Sequence, residues 1–167
     1  MKTVEIVTYD PRYLDAVVDL CKAERWPVAS NRERLGRAMT GPGVTALVAI
    51  EGGDELGRGD ANARSDAGGA GGGGDATAPG DERVLGFSQA LGDGAFSGYL
   101  VMLLVAEDAR GQGIGKALVD RTLRESGVLR LDLLSSEEAM PLYERFPHAR
   151  LPGFRLYPDE SLRPRSS

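Results

Sequence analysis

The most informative part of the sequence is Val105-Ala-Glu-Asp-Ala-Arg110-Gly-Gln-Gly-Ile-Gly115-Lys-Ala-Leu118. Its three alternating glycines follow an apolar stretch over residues 96–105 and lead into a helical pattern over residues 113–126. Glycine lets the backbone approach a ligand closely and turn its N–H groups inward. A helix N-terminus adds about half a positive charge, and Arg110 and Lys116 can add charge-assisted hydrogen bonds. The pattern therefore predicts a cradle for a phosphate group.

Two common nucleotide-binding motifs do not fit this loop. A Walker A loop needs serine or threonine where Ala117 stands. A Rossmann fingerprint that begins at Gly111 needs a glycine in place of Lys116, and one that begins at Gly113 needs a glycine in place of Leu118. The phosphate ligand is therefore expected to belong to another class.

Hydrophobic periodicity predicts the other elements of the fold. Asp10 and either Ser30 or Asn31 are expected to cap the first two helices. We expect helices over residues 11–26, 32–39, 113–126 and 135–146, strands over residues 4–8, 44–50, 83–91, 96–105 and 129–134, and a terminal strand pair within residues 148–158. The order is β-α-α-β-β-β-α-β-α-β, which indicates a mixed sheet.

Residues 52–82 differ in composition from the rest of the chain. Glycine, alanine, aspartate and arginine dominate there, and Leu56 is the only large aliphatic residue well inside it. Such a segment cannot bury enough apolar surface to offset a backbone entropy loss of ~1–2 kcal/mol per residue. We expect a disordered loop insert at about 52–82 in a single domain over residues 1–160, with a tail at 161–167. A regulatory or partner-binding loop is the alternative.

Charge and composition exclude several classes of function. The net charge of −5 argues against a nucleic-acid partner, which normally needs a basic surface. One cysteine, Cys21, and one histidine, His148, leave no disulfide framework and no cysteine-rich or histidine-rich metal site. Residues 1–10 lack the apolar core of a signal peptide, and no apolar run approaches the ~20 residues of a membrane span. We expect a soluble, cytoplasmic protein with no membrane partner.

The loop resembles the R/Q-x-x-G-x-G/A signature of the GNAT superfamily of N-acetyltransferases, read here as Arg110-Gly-Gln-Gly113-Ile-Gly115. The element order and the late segment Leu142-Tyr143-Glu144-Arg145-Phe146 extend the resemblance over nearly the whole chain. It implies an α/β (α+β) GNAT fold, with a mixed, mostly antiparallel sheet of six to seven strands and helices on both faces. The alternative is a tight turn that binds no ligand.

The resemblance also implies acetyl-CoA as the cosubstrate and no metal. The strands over 96–105 and 129–134 would splay apart, with the thioester in the gap and the pantetheine arm paired to the first strand. Ser135 stands where many relatives have asparagine, so it can make only part of that contact. The implied coenzyme-binding residues are Leu103, Leu104, Val105, Arg110, Gly111, Gln112, Gly113, Ile114, Gly115, Lys116 and Ser135.

Acetyl transfer to an amine requires a neutral amine and a stabilised thiolate. A lysine-like amine has a pKa of ~10.4, so deprotonation at neutral pH costs about 4–5 kcal/mol. A general base or a desolvating pocket must meet part of that cost, and Glu51 and Asp93 are both candidates, although each equally fits a solvated turn. By resemblance, Tyr143 matches the family tyrosine beside the coenzyme sulfur. It is expected to hydrogen-bond the developing thiolate as general acid or thiolate stabiliser.

Three other residues have weaker patterns. Glu24 and Trp26 lie in the region that covers the acceptor pocket in the family, and an aromatic ring beside a carboxylate suits a cationic substrate. Trp26 equally fits the core. His148 is interpreted as structural, because it precedes the predicted last strand.

Together these patterns predict an acetyl-CoA-dependent N-acetyltransferase that acetylates a primary amine of a small molecule by direct attack in a ternary complex. One alternative is acetylation of a protein N-terminus or lysine, with a peptide amine as substrate. A second alternative is a non-catalytic acyl-CoA-binding or sensing domain that keeps residues 110–116 without turnover. The negative charge disfavours an aminoacyl-tRNA substrate. Acceptor, acyl-chain preference and the choice between monomer and homodimer stay open.

Overall fold

A computed structural model describes residues 3–26, 29–52 and 82–158 of the chain. Nearly all of the predicted insert at 52–82 and the tail at 161–167 lie outside the described residues. The chain forms two compact units, Met1–Leu133 and Leu134–Ser167. The single domain over residues 1–160 stays a prediction.

The first unit contains five strands and three α-helices among its described residues. Two short 3₁₀ helices, Pro11–Tyr13 and Glu107–Ala109, precede the first and the third α-helix respectively. The second unit has a 3₁₀ helix, Glu137–Ala139, which runs into α4, Met140–Tyr143, so the helix predicted over 135–146 is shorter at both ends. The elements of the first unit are β1 (Thr3–Thr8), α1 (Leu14–Ala23), α2 (Arg32–Thr40), β2 (Val44–Gly52), β3 (Arg83–Gly92), β4 (Ser97–Val105), α3 (Ile114–Glu125) and β5 (Arg130–Asp132).

The described strands form one sheet in the order β1-β2-β3-β4-β5. The first three pairs are antiparallel and the β4–β5 pair is parallel, which confirms a mixed, mostly antiparallel sheet. The prediction of six to seven strands was wrong by at least one among the described residues. The reason is that the strand pair predicted within residues 148–158 does not form.

The absent terminal strands have a physical explanation in the sequence. Pro152 lacks the N–H that a strand ladder needs, and it is followed by Gly153, which weakens a strand. The apolar side chains of the segment also fail to share a buried face, since Leu151, Phe154 and Leu156 are 76%, 85% and 87% exposed. A strand-like pattern of apolar and polar residues is therefore not sufficient to form a strand in this segment.

Helices cover both faces of the sheet, as predicted. Successive residues of a strand point to opposite faces. In β3, the hydroxyl of Ser88 lies 2.8 Å from the hydroxyl of Thr122 on α3, whereas the amide of Gln89 donates to the carbonyl of Ala38 on α2 at 3.2 Å. Helix α3 therefore lies on one face and α2 on the other, with α1 packed beside α2.

The helix caps follow the sequence closely. The carboxylate of Asp10 accepts from the N–H of Arg12 at 2.8 Å, and the amide oxygen of Asn31 accepts from the N–H of Arg34 at 3.0 Å. Helix α1 ends in a tight turn, because Arg25 has a φ of +57° and the N–H of Trp26 returns to the carbonyl of Cys21 at 2.7 Å. This turn leaves Trp26 37% exposed, so the structure does not place it in the core.

Candidate functional site

The glycine loop lies between the end of β4 and the start of α3. Gly111 and Gly113 have φ values of +77° and +84°, a backbone conformation that side chains other than glycine rarely adopt. A Cβ atom at either position would meet nothing within 4 Å. The glycines are therefore required by the backbone conformation, and the loop surface above them is open.

The first turn of α3 directs N–H groups towards this open surface. The N–H of Ala117 donates to the carbonyl of Gly113 at 3.0 Å, which places Gly113 at the N-cap of the twelve-residue helix. The N–H groups of a first helical turn have no acceptor inside the helix, and they carry the positive end of the helix dipole. The arrangement has the chemistry of an anion site.

The edge of β4 is open along the half that leads into the loop. In the described part of the chain, β5 pairs with β4 only through Ser97, Gly98 and Tyr99. Opposite β3, the register shifts so that Val101 is an extra residue, which is a β-bulge. The segment from Val101 to Val105 thus has β3 on one side and no strand of the described residues on the other. Such an edge can hydrogen-bond an extended ligand.

Two predicted site residues, Glu24 and Arg110, contact each other. The guanidinium of Arg110 is bonded to the carboxylate of Glu24, and its Nε donates to the carbonyl of Val105 at 3.1 Å. The other carboxylate oxygen of Glu24 accepts from the N–H of Glu107 at 2.8 Å. The side chain of Glu24 is only 12% exposed, whereas that of Arg110 is 54% exposed.

A second ion pair, which the local sequence patterns do not predict, ties the same loop to β3. The guanidinium of Arg83 bonds both carboxylate oxygens of Asp108, at 2.8 and 2.6 Å. Residues separated by 25 positions leave no local pattern that could have revealed the pair. Glu24, Arg83 and Asp108 line an open cleft of about 580 Å³ beside α1.

The two candidate bases lie at opposite ends of β3. Glu51 is half-buried and pairs in register with Arg83 at the start of the strand. Asp93 follows the other end, where its carboxylate accepts from the N–H groups of residues 95, 96 and 97 at 2.8, 2.7 and 3.1 Å. These bonds hold the pKa of Asp93 below its usual value, which makes it a weaker base.

Ser135, Tyr143 and His148 belong to the second unit, whereas the loop belongs to the first. Burial raises the pKa of Tyr143, so its phenol stays protonated at neutral pH and can donate a hydrogen bond. The hydroxyl of Ser135 donates to the carbonyl of Ser136 at 2.7 Å. His148 is exposed, with Nδ1 at 2.9 Å from the carbonyl of Phe146. The roles given to these residues stay predictions.

Two buried polar side-chain atoms, in residues on either side of Ala46 of β2, have no hydrogen-bond partner among the described residues. They are the hydroxyl of Tyr9 and the side-chain oxygen of Gln89, which is 4% exposed. Tyr9 lies beside Ala46, and Ala46 pairs with Gln89, so the two flank one small residue. The polar pair Ser88-Gln89 inside an otherwise apolar strand was a signal that the sequence analysis did not use.

Membrane and metal sites can be assessed for the described ranges. There, no helix has the length and apolar character that crossing a bilayer requires. Nor does that part of the chain bring three or more histidine, cysteine, aspartate or glutamate side chains together in a way that could hold a metal ion.

Comparison with known proteins gives a family match over part of the chain and a likeness in fold over most of it. Residues 76–146 match the family described as "Acetyltransferase (GNAT) domain". No curated protein matches the sequence at a significant level.

Three solved structures illustrate the likeness in fold. A protein of Deinococcus radiodurans R1 classed as an acetyltransferase is 22% identical over 95% of this chain and 94% of its own, with a TM-score of 0.62. The ribosomal-protein-alanine N-acetyltransferase of Brucella melitensis is 18% identical over 93% and 98%, with a TM-score of 0.60. An aminoglycoside acetyltransferase from an uncultured soil metagenomic sample, solved with sisomicin, is 13% identical over 92% and 94%, with a TM-score of 0.60. The glycine loop and the open edge of β4 both fall within the part of the chain that is similar to the GNAT acetyltransferase domain.

Proposed function

We propose that the protein is an acetyl-CoA-dependent N-acetyltransferase that transfers the acetyl group to a primary amine of a small molecule. The observation that carries the proposal is the conformation of the loop, with Gly111 and Gly113 at positive φ before an exposed first turn of α3. This geometry suits the diphosphate of a coenzyme, because backbone N–H groups can surround it without side-chain obstruction.

The rest of the coenzyme would follow the open edge of β4. The amide groups of a pantetheine arm can pair with the backbone near Leu103, Leu104 and Val105, as an added strand would. Lys116 is half-exposed and its ammonium lies 2.5 Å from the carboxylate of Asp120, so a phosphate would compete with that carboxylate for it. The backbone therefore supplies most of the proposed phosphate contacts.

The proposed reaction is a direct transfer in a ternary complex. The amine lone pair forms a bond to the thioester carbon, the carbon–sulfur bond breaks with its electrons on sulfur, and the amine loses a proton. Tyr143, which burial keeps protonated, would donate a hydrogen bond to the thiolate. Of the two carboxylates, Asp93 is the weaker candidate for the base, because a proton on it would oppose three backbone N–H bonds. Glu51, directly or through water, is the stronger candidate.

The relatives suggest which amines to test. One structural neighbour is an aminoglycoside acetyltransferase and another is a ribosomal-protein-alanine N-acetyltransferase, both below 20% identity. Thiol release from acetyl-CoA should be measured with simple amines, aminoglycosides, and peptides that begin with alanine or contain lysine. A reaction without amine corrects for hydrolysis.

Each outcome of this panel points to one function. Release with a small amine supports the proposal. Release with peptides alone supports a protein acetyltransferase. Tight coenzyme binding without thiol release in the presence of any amine of the panel supports a sensing domain. A folded protein that does not bind the coenzyme refutes the proposed function.

A further inference from the structure

The side chain of Glu24 is placed to organise the loop rather than to bind a substrate. It stands at the C-terminal end of α1, and both of its carboxylate oxygens already accept hydrogen bonds, from Glu107 and Arg110. A cationic acceptor could reach this carboxylate only by displacing the guanidinium of Arg110. That exchange would break the bond that joins this largely buried carboxylate to the side chain of Arg110.

Arg110 joins the middle of the segment between β4 and α3 to the beginning of that segment. Its Nε donates to the carbonyl of Val105, the last residue of β4, while its terminal nitrogen reaches Glu24. Glu24 in turn holds the N–H of Glu107 at the start of the following 3₁₀ helix. The contacts form a closed chain from Val105 through Arg110 and Glu24 to Glu107. This chain fixes the direction in which the backbone leaves the sheet.

We propose that Glu24 and Arg110 are a positioning pair that holds the glycine loop ready for the coenzyme diphosphate, and that neither side chain contacts acceptor or phosphate directly. This inference rests on the proposed function. It differs from the simplest interpretation of the sequence, in which the guanidinium bonds a phosphate oxygen and the carboxylate binds the amine.

The two interpretations predict opposite signs for one substitution. If Arg110 meets the phosphate directly, Glu24 competes for its guanidinium and adds negative charge near the diphosphate. Glu24→Gln would then tighten CoA binding. If the pair positions the loop, Glu24→Gln weakens binding, because a neutral amide still accepts from Glu107 but no longer holds the guanidinium as a charged partner.

The experiment measures CoA affinity by calorimetry for the full chain and for Glu24→Gln, Arg110→Gln and the double variant. Asp15→Asn is the matched control, because Asp15 lies on α1, the helix that Glu24 follows, and forms an exposed ion pair of 2.6 Å with Arg32 of α2. We expect each single variant to weaken CoA binding by about tenfold and the double variant to be no weaker than the worse single variant, as coupled residues behave. The control should bind as the wild type does.

Two further readouts separate positioning from the other roles. In steady-state kinetics, Glu24→Gln should raise KM for acetyl-CoA while kcat and KM for the amine stay unchanged. In the free protein, amide hydrogen exchange over residues 106–113 should be faster in Glu24→Gln than in Asp15→Asn, because the loop has lost its tie.

Several results would overturn the inference. Tighter CoA binding in Glu24→Gln would assign Arg110 to the phosphate, and a raised KM for the amine alone would assign Glu24 to the acceptor. Unchanged affinity and unchanged exchange would leave the pair without a role in the loop. If the wild type binds no CoA, the proposed function fails, and the exchange measurement still decides whether the pair holds the loop. If Glu24→Gln does not fold, amide exchange over residues 106–113 in the free Arg110→Gln variant provides the test, because only a positioning role makes that exchange faster than in Asp15→Asn.

Discussion

Ser88 of β3 and Thr122 of α3 are joined by a hydrogen bond of 2.8 Å between two fully buried hydroxyl groups. The hydroxyl of Thr122 also donates to the carbonyl of Leu118 at 2.8 Å, so the Ser88 hydroxyl is the donor of the pair. The bond fastens α3, the helix that begins at the glycine loop, to the central strand of the sheet. It therefore contributes to the placement of the candidate coenzyme site.

The first prediction follows from this bond. Thr122→Val keeps the side-chain shape but leaves the Ser88 hydroxyl without its acceptor, and a buried unsatisfied hydroxyl costs ~1–3 kcal/mol. Removing the donor as well, in the double variant with Ser88→Ala, should recover part of that loss. Urea denaturation of the wild type, both single variants and the double variant measures the coupling. Strictly additive losses would contradict the buried bond.

The second prediction concerns Gly113. Gly113→Ala forces a side chain into a left-handed conformation, which costs about 1–2 kcal/mol of stability. Gly94→Ala is the matched control, because Gly94 has a φ of +71° and its Cβ would also meet nothing within 4 Å. Both variants should lose similar stability, but only Gly113→Ala should weaken acetyl-CoA binding, by about tenfold or more (~1.4 kcal/mol). If the two variants bound acetyl-CoA with equal affinity, the loop would have no part in coenzyme binding.

The third prediction concerns Tyr143. Tyr143→Phe should leave folding and acetyl-CoA affinity intact and lower kcat by at least about tenfold, because one hydrogen-bond donor to developing charge is lost. Since burial raises the pKa of Tyr143, ionisation of this phenol should not reduce kcat of the wild type below pH ~10. Stopped-flow measurement of thiol release across pH checks both statements. Unchanged turnover in the variant would remove Tyr143 from the mechanism.

The fourth prediction concerns Cys21. Burial raises the pKa of its thiol from 9.0 to about 11. Between these values the folded protein retains a proton that the unfolded chain has lost, so the free energy of unfolding falls as pH rises from about 9 to about 11. This contribution is fully present below pH 9. Urea titrations of the wild type and of Cys21→Ala should show a shallower decline in the variant, and identical slopes would contradict the prediction.

The same burial has a practical consequence for the activity assay. Because Cys21 is fully buried and its thiol stays neutral, the native protein should add no signal to a thiol-reagent assay of CoA release. Rapid labelling of native protein without coenzyme would show that the thiol is accessible.

Apolar periodicity and capping residues predicted the helices and strands that form through interactions between residues close in the sequence. Strands β1 to β4 and helices α1 to α3 appeared within a few residues of their expected bounds, because apolar periodicity and the caps at Asp10 and Asn31 act over one or two turns. The role of Asp93 was also within reach of the sequence. An aspartate before glycine in a short turn commonly accepts nearby backbone N–H groups.

Contacts between distant residues could not be predicted in this way. Glu24 and Arg110 are 86 positions apart, and the sequence gives no sign that they meet. The residue pattern over 148–158 is typical of strands. Strand formation, however, also requires a neighbouring strand and a buried face. The exposure of Leu151 and Phe154 shows that this segment lacks the buried face.

The proposed function depends on the binding of a coenzyme diphosphate by the N–H groups at the start of α3. Calorimetric titration of CoA into protein whose folding has been checked by circular dichroism tests it most directly, with pantetheine, which lacks the diphosphate, as the comparison ligand. We expect saturable binding of CoA, much weaker binding of pantetheine, and loss of this difference in affinity in Gly113→Ala. No uptake of CoA by the folded protein, or equal affinity for both ligands, would contradict it.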